Sequence, residues 1–424
     1  MSTPHDAIIV GAGPAGSATA LALARAGHDV LLLDRRDFPR AKPCGDCLSA
    51  EAARVLDRLG LLADVLAARP ARLRGWRIIS PAGHAFEATF VLAANGDPRV
   101  ETAISLRREI LDAMLLAGAW RAGAEVRTGV HVTDLLRDAR GQVSGVEARD
   151  HEGRTLRLQA RLVIGADGLR SVVARRLGLV RRAPRLRKVS LTAHVRGIAG
   201  LGRFGEMHLA AGACVGVAPV EEVEGDDVAA SPIANLTLVV DADRFGRDVA
   251  HDAHAFFART LARFPALASR LPPLEPPLRL LASGPFDWPI RTVVADGAAL
   301  VGDAAGYFDP FTGQGIYQAL ACAELLAEEA DRALRGGDVS ARALRRYAAR
   351  RRRALRETRL LQHLIEHVIR RPALADAAIR RLSRAPAAAA ALIAATGDLL
   401  PPRRLLSPAI TLSFLLGSRR SEAP

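Results

Sequence analysis

The sequence predicts an α/β fold: a Rossmann-type lobe on a three-layer parallel sheet, an inserted antiparallel β-sheet lobe and a helical C-terminal part. Three observations predict it. The apolar run Ile8-Ile9-Val10 passes through Gly11-Ala12-Gly13-Pro14-Ala15-Gly16 into an Ala/Leu-rich stretch. A second apolar run, Val30–Leu33, ends in Asp34. Short alternating segments then crowd together between Lys188 and Asp241, the pattern of an antiparallel sheet with one buried face.

Ile8–Val10 reads as a short buried parallel strand. The glycines after it allow a tight turn, and the following helix points its free N–H groups and positive dipole end at an anion such as a pyrophosphate. Asp34 stands at the spacing of a carboxylate that takes a ribose hydroxyl. The motif specifies a dinucleotide and does not separate NAD from FAD.

Asp34–Asp46 reads as a charged, proline-bearing loop, and Ser49 as the cap of a helix to about Leu59. Leu73–Ile79 and His84–Val91 are predicted strands about a Pro81-Ala82-Gly83 turn. Leu106–Ala122 is a predicted helix and Glu125–Val132 a strand. Gln142–Ala148 and Thr155–Leu158 form a hairpin, and Leu162–Ile164 is a separate buried strand ending in Gly165-Ala166-Asp167-Gly168. In the inserted sheet, strands are predicted at Val189–Val195, Phe204–Leu209, Ala213–Ala218 and Asn235–Val240, with Glu221–Asp227 as an acidic loop. A helix near His251–Phe264 follows. Val293–Val301 returns to the first lobe, and Gly313–Arg335 and Ser340–Arg370 are long helices. The boundaries are 1–72, 101–187 and 286–335 for the nucleotide-binding lobe, 73–100 and 188–285 for the sheet lobe, and 336–424 for the helical region.

Composition narrows the function classes. The net charge is +14, but only Lys42 and Lys188 are lysines. Residues 331–424 hold 20 arginines against 7 acids, almost the whole excess. A basic tail with few aromatic residues suits an anionic membrane surface better than base stacking, so no nucleic-acid partner is expected. The apolar stretch Leu405–Leu416 is too short to span a bilayer and is placed at its interface, as a peripheral contact. With four cysteines and no export signal, a reducing, cytoplasmic location is expected. Cys44-x-x-Cys47 lacks a second pair, and His363 and His367 lack a third ligand, so no metal site is expected.

The chemistry rests on a second block. Leu300-Val301-Gly302-Asp303 reads as a strand end, followed by a loop through Pro310 and by Gly313-Gln314-Gly315-Ile316 opening a helix. A carboxylate at a strand end can bind a polyol hydroxyl, and a helix start can stabilise an anion developing on a ring.

With Gly11–Gly16 and Asp34, Arg108-Glu109-Ile110-Leu111-Asp112, and Asp167-Gly168 with Ser171, this block resembles the glutathione-reductase-type FAD enzymes, in the branch of aromatic hydroxylases, flavin-dependent halogenases and geranylgeranyl reductases. Arg40-Ala41-Lys42-Pro43-Cys44-Gly45 followed by Leu48-Ser49, and Asp309–Tyr317, are similar to the geranylgeranyl reductases in particular. The resemblance implies roles. Gly11, Gly13, Pro14, Ala15 and Gly16 would lie at the FAD pyrophosphate. Asp34 would hold the ribose, Arg35 would lie near the adenine, and Val132 would contact the adenine through its backbone. Arg108, Asp167, Gly302 and Asp303 would meet the pyrophosphate and ribityl chain. Pro310, Gly313, Gly315 and Ile316 would edge the isoalloxazine. Cys44 and Gly45 would lie beside the flavin or substrate as the catalytic segment. The reductases' aromatic substrate block has no counterpart in Gly212–Pro219, and the halogenases' Trp-x-Trp element is absent.

The sequence therefore reads as an FAD enzyme with NAD(P)H as transient reductant and a small lipophilic substrate. Two reactions stay open: reduction of isoprenoid-type C=C bonds, or hydroxylation of an aromatic or polyketide-like ring through a flavin C4a-hydroperoxide. A flavin-free lipid- or protein-binding relative is a third reading.

Overall fold

The computed structural model describes residues 3–90, 102–181, 187–222, 232–274, 278–309 and 311–416. Pro310, most of the Glu221–Asp227 insert and the end of the tail lie outside the described residues.

Apolar runs with no polar face build the first sheet. His5–Val10 lies between Val30–Leu33 and Thr155–Gly165, parallel to both. Glu125–Arg127 extends the sheet beyond Val30–Leu33, and Ala298–Leu300 extends it beyond Thr155–Gly165, again in parallel. Ile8, Ile9, Leu31, Leu32, Leu33, Val163 and Ile164 are fully buried, as expected of a sheet covered on both faces. The helices Pro14–Arg25, Arg108–Arg121 and Gly315–Arg335 pack together around it. The long helix Ala341–Ile369 is tied on by Tyr347, whose hydroxyl donates to the Leu300 carbonyl at 2.8 Å.

Two sequence expectations change here. The segment predicted as one strand, Glu125–Val132, is two, Glu125–Arg127 and His131–Arg137. Gly129, at φ +68°, turns the chain between them. The Val130 N–H then reaches the Asp34 carbonyl at 2.9 Å, and the second strand leaves to pair antiparallel with Val143–Arg149. Conversely, the predicted hairpin strand and the separate Leu162–Ile164 strand are one, Thr155–Gly165. Its first half alternates between exposed and half-buried residues, and its last four residues, Leu162–Gly165, are buried. One strand thus runs from a half-solvated hairpin into the parallel core.

The second sheet has the order Leu281–Ser283, Lys188–Arg196, Ile233–Asp241, Ala213–Pro219, Phe204–Ala210, Gly75–Ile79, Ala85–Thr89. Side chains alternate between faces with period two, so the register assigns each residue to a face. On one face, Leu191, Val215, Leu236, Leu238 and Val217 pack with Phe256, Phe257 and Leu261 of the helix Ala253–Leu261. The other face looks into the molecule. Its Lys188–Arg196 side is polar, where His194 stands opposite Asn235 and Thr192 opposite Thr237. Its far side is apolar: Cys214, Met207, Leu209, Phe86 and Ala88, covered by the helices Pro372–Leu382 and Pro386–Thr396. A small sheet of Cys47–Leu48, Ala103–Ser105 and Ala71–Leu73 joins the two large ones.

The outer face of the second sheet carries one buried ionic cluster. Arg270 Nη1 donates to both carboxylate oxygens of Glu206, at 2.9 and 2.8 Å, and His208 Nε2 lies 2.8 Å from the same carboxylate. Burial raises the Glu206 pKa, but these partners outweigh it and hold the group down at about 2. A depressed carboxylate pKa stabilises the fold above the unfolded value of 4.5, and that contribution is lost as pH falls towards 2. Glu206→Gln should therefore cost about 2 kcal/mol or more at pH 7. In denaturant titrations from pH 7 to 2 its stability curve should approach that of the wild type at the acid end. A constant difference across that range would refute the assignment.

Candidate active site

The turn after the first strand shows what each glycine does. Gly11 has φ +102°, and a Cβ there would lie 2.6 Å from the Ala166 carbonyl oxygen. A Cβ on Gly16 would lie 1.8 Å from the Gly11 carbonyl oxygen. Both glycines therefore serve contacts within the protein, strand to strand and helix to turn. Pro14 occupies the first helical turn and is buried, and Ala15 packs against Gly302. These side chains face protein. Gly13 alone in this block opens outward, its nearest neighbour in the Cβ direction being Arg40 Nη2 at 3.8 Å. Gly13, with the N–H groups at the helix start, forms the cradle for a phosphate.

Asp34 stands beside it, with 8% of its surface exposed. Oδ2 accepts the Ala12 N–H at 2.8 Å and Oδ1 the Arg36 N–H at 3.0 Å. Arg35 is exposed at the strand end. The residue that completes this corner is Arg40, to which the sequence analysis gave no role. Its guanidinium reaches Asp34 at 3.4 Å and Asp112 at 3.3 Å and lies 4.6 Å over the Phe38 ring. Its Nε is buried without a partner. Only its position two residues before Lys42 could have marked it. Val132 has a buried side chain and sits in the ladder opposite Ala148. In this stretch the backbone groups that meet Asp34 belong to Arg127, whose carbonyl accepts the Asp34 N–H, and to Val130, whose N–H donates to the Asp34 carbonyl.

Arg108 starts its helix and binds Asp112 through two hydrogen bonds, 2.7 and 2.9 Å. The Asp112 pair and the Cys44 sulfur outweigh the burial penalty and raise its pKa. Burial pushes the Cys44 thiol up despite Arg108, and the Cys47 thiol up to about 12. Both cysteines are free. They are therefore protonated thiols at neutral pH, neither thiolate nucleophiles nor a disulfide. Gly45 is exposed and has open space in its Cβ direction.

The loop that carries Cys44 is fixed by Asp46, which has 1% exposure and φ +58°. Its carboxylate meets His194 Nε2 at 2.6 Å, Asn235 Nδ2 at 2.7 Å and the Arg108 N–H at 3.2 Å. The Cys44 carbonyl accepts from Asn235 at 2.7 Å and from Thr237 at 3.3 Å. Loop and sheet are thus joined through polar groups in the interior.

Opposite this loop, Gly302 and Asp303 lie in a short turn of 3₁₀ helix at the end of the Ala298–Leu300 strand. Burial raises the Asp303 pKa, against the attraction of Lys42 and Arg108. Asp167 caps the short helix Val172–Arg176 through the Val172 N–H, and its Oδ1 is buried without a partner. Gly313 has φ +69° and open space in its Cβ direction. Gly315 begins the Gly315–Arg335 helix against the Tyr307 ring. Ile316 is buried in the core of the first lobe, so only its backbone can face a ligand. Behind the helix start, Asp398 is bound by Gln314 and Ser49, and burial lifts its pKa to about 8.

These residues fit an FAD. The Gly13 cradle is open, Asp34 has acceptor capacity to spare, and Arg40 Nε and Asp167 Oδ1 are buried groups without partners. Comparison with known proteins agrees. Residues 5–208 match the family described as FAD binding domain. Digeranylgeranylglycerophospholipid reductase 1 of Methanopyrus kandleri is 32% identical over 365 residues, covering 83% of this chain and 87% of that protein. The chain belongs to the geranylgeranyl reductase branch of the FAD-dependent oxidoreductases. Conditioned medium factor receptor 1 of Dictyostelium discoideum is 26% identical over 81% of this chain, which spans 66% of that protein. A flavin-dependent brominase of solved structure shares the fold, with a TM-score of 0.76 over 94% of each chain at 21% identity.

As an FAD-dependent oxidoreductase of this branch, the protein should depend on Arg40 for cofactor retention. Arg40→Ala should raise the FAD Kd about tenfold or more, measured by flavin fluorescence quenching on apoprotein. An unchanged Kd would exclude Arg40 from the site.

Proposed function

We propose that this protein reduces carbon–carbon double bonds in an isoprenoid lipid, with NAD(P)H as the source of electrons. The observation that carries the reading is the apolar cluster on the inner face of the large antiparallel sheet. It gathers Cys47, Trp76, Phe86, Met207, Cys214, Phe286, Tyr307 and Phe311 and packs against the C-terminal helices. The aromatic residues missing from Gly212–Pro219 are supplied here by other elements. The likeness to a digeranylgeranylglycerophospholipid reductase supports the same substrate class.

Asp34, Arg40, Gly13 and Asp303 would hold the FAD. When bound and reduced by the NAD(P)H electrons, it would supply a hydride to one carbon of the double bond. The second carbon needs a proton, and the protein has a group to hold one. Tyr307 packs edge-on to Phe286, with ring centroids 5.8 Å apart, and its hydroxyl lies beside Gly315. Burial, with Asp303 and Asp309 nearby, lifts its pKa well above 10, so it stays protonated.

A lipid substrate also gives the tail a purpose. Leu406, Leu412, Leu415 and Leu416 are exposed, and Arg403 and Arg404 flank them. In this reading they seat the protein on an anionic bilayer. No helix among the described residues is long and apolar enough to cross a membrane.

The deciding experiment is turnover of a polyprenyl lipid by the FAD-loaded enzyme without oxygen. Saturated product, with Tyr307→Phe lowering kcat at least tenfold at unchanged FAD content, supports the reading. Strict dependence on O₂ with a hydroxylated product refutes it and favours the monooxygenase alternative. Separately, truncation after Asp398 should reduce sedimentation with phosphatidylglycerol vesicles several-fold. Unchanged sedimentation would remove the membrane contact.

A further inference from the structure

A cavity of about 190 Å³ opens between the two lobes. It is lined by Lys42 and Asp46 of the loop, Arg107, Arg108 and Glu109 at a helix start, and His194, Arg279 and Leu281 of the large antiparallel sheet. Four permanent cations face two carboxylates. Both carboxylates are engaged: Asp46 by His194, Asn235 and the Arg108 N–H, and Glu109 by Arg107 at 2.9 Å. Arg108 is committed to Asp112.

Lys42 and Arg279 are different. Neither makes a hydrogen bond or ion pair with a described residue; Lys42 is half-buried and Arg279 is exposed. Lys42 reaches the cavity from the side of Gly168, where a Cβ would lie 3.6 Å from its Nζ. Arg279 reaches it from the opposite lobe, beside the edge strand Leu281–Ser283. Arg107, Arg108 and Glu109 are the cap and first two residues of a 14-residue helix, so its positive dipole end also faces this space. Enclosing an ammonium is costly, and burial, with the charges of Arg108 and Arg40 nearby, lowers the Lys42 pKa despite the attraction of Asp303 and Asp112. A polyanion between Lys42 and Arg279 would remove that cost.

We propose that this cleft binds a phosphate ester, with Lys42 and Arg279 closing on it from the two lobes and Arg107 and His194 completing the ring. A guanidinium suits a phosphate because its donors form a planar fork. The ligand has two chemical sources, the phosphorylated head of a lipid substrate or the pyrophosphate of a nicotinamide dinucleotide. The first source rests on the lipid-reductase reading above; the site itself does not.

The test is calorimetric titration of the FAD-loaded protein with inorganic pyrophosphate at low salt. Wild type should bind, and Arg279→Glu and Arg107→Glu should each weaken binding about tenfold or more. Arg157→Glu makes the same charge change on an exposed strand of the other sheet and should leave binding within twofold. Two further arms name the source. If Arg279→Glu raises KM for geranylgeranyl diphosphate and not for geranylgeraniol, with dithionite as reductant, the lipid head occupies the site. If it raises the Kd for NAD(P)H in stopped-flow flavin reduction, the dinucleotide does. Absence of pyrophosphate binding by the wild type, or equal weakening by Arg157→Glu, overturns the proposal. Should no polyprenyl lipid be turned over, the reductase reading fails, and the titration and flavin-reduction arms still decide the site.

Discussion

A single buried carboxylate holds the active site together. Asp46 lies on the loop of the nucleotide-binding lobe, accepts from His194 and Asn235 of the substrate sheet, and accepts the Arg108 N–H at the start of a helix. Its own carbonyl takes the Leu106 N–H at 2.9 Å. Four separate segments therefore meet at one residue with almost no solvent contact. A buried carboxylate must be fully hydrogen-bonded, and losing one donor leaves charge stranded in a low dielectric. The geometry of the Lys42–Cys47 loop follows from that requirement. The left-handed backbone at Asp46 is tolerable because aspartate adopts it more readily than most residues.

The inner face of the large sheet extends this constraint into specificity. Its residues change from Thr192, His194, Asn235 and Thr237 at one side to Cys214, Met207 and Phe86 at the other. The polar strip is consumed by the loop, which leaves the apolar strip for the C-terminal helices. Those helices are coupled to the cofactor side as well. Asp398, beyond the Pro386–Thr396 helix, binds Gln314 at the cap of the Gly315–Arg335 helix. A side-chain amide of the long C-terminal helix, Gln362, reaches Thr312 in the same loop at 3.0 Å. The C-terminal helices and the loop at Thr312–Gln314 form one hydrogen-bonded assembly.

Much of this was legible in the chain. Strand, turn and helix at Ile8–Gly16, the acid at Asp34, the Ser49 cap and the strands between Lys188 and Asp241 follow from local patterns, and local patterns survive folding. What was not legible has a common cause. Arg40 sits in a loop with no periodicity, and its partners Asp34 and Asp112 are 6 and 72 residues away. The Asp46–His194 contact spans 148 residues. The division of labour within Gly11–Gly16 was also hidden. A motif shows where glycines recur, but only packing shows that Gly11 and Gly16 meet protein while Gly13 meets open space.

The sequence by itself determined the fold class, the position of the nucleotide-binding turn and the family to which the chain belongs. Those depend on hydrophobic period and on short spacings of glycine and acid, which are set within a few residues. Tertiary structure alone decided which side chains share the apolar cluster. It placed Tyr307 against Gly315, surrounded the apolar strip with aromatics from four separate stretches of chain, and brought Lys42 and Arg279 to one cavity from opposite lobes. Such contacts arise from the closing of two sheets on one loop, a long-range event that no local window of sequence contains.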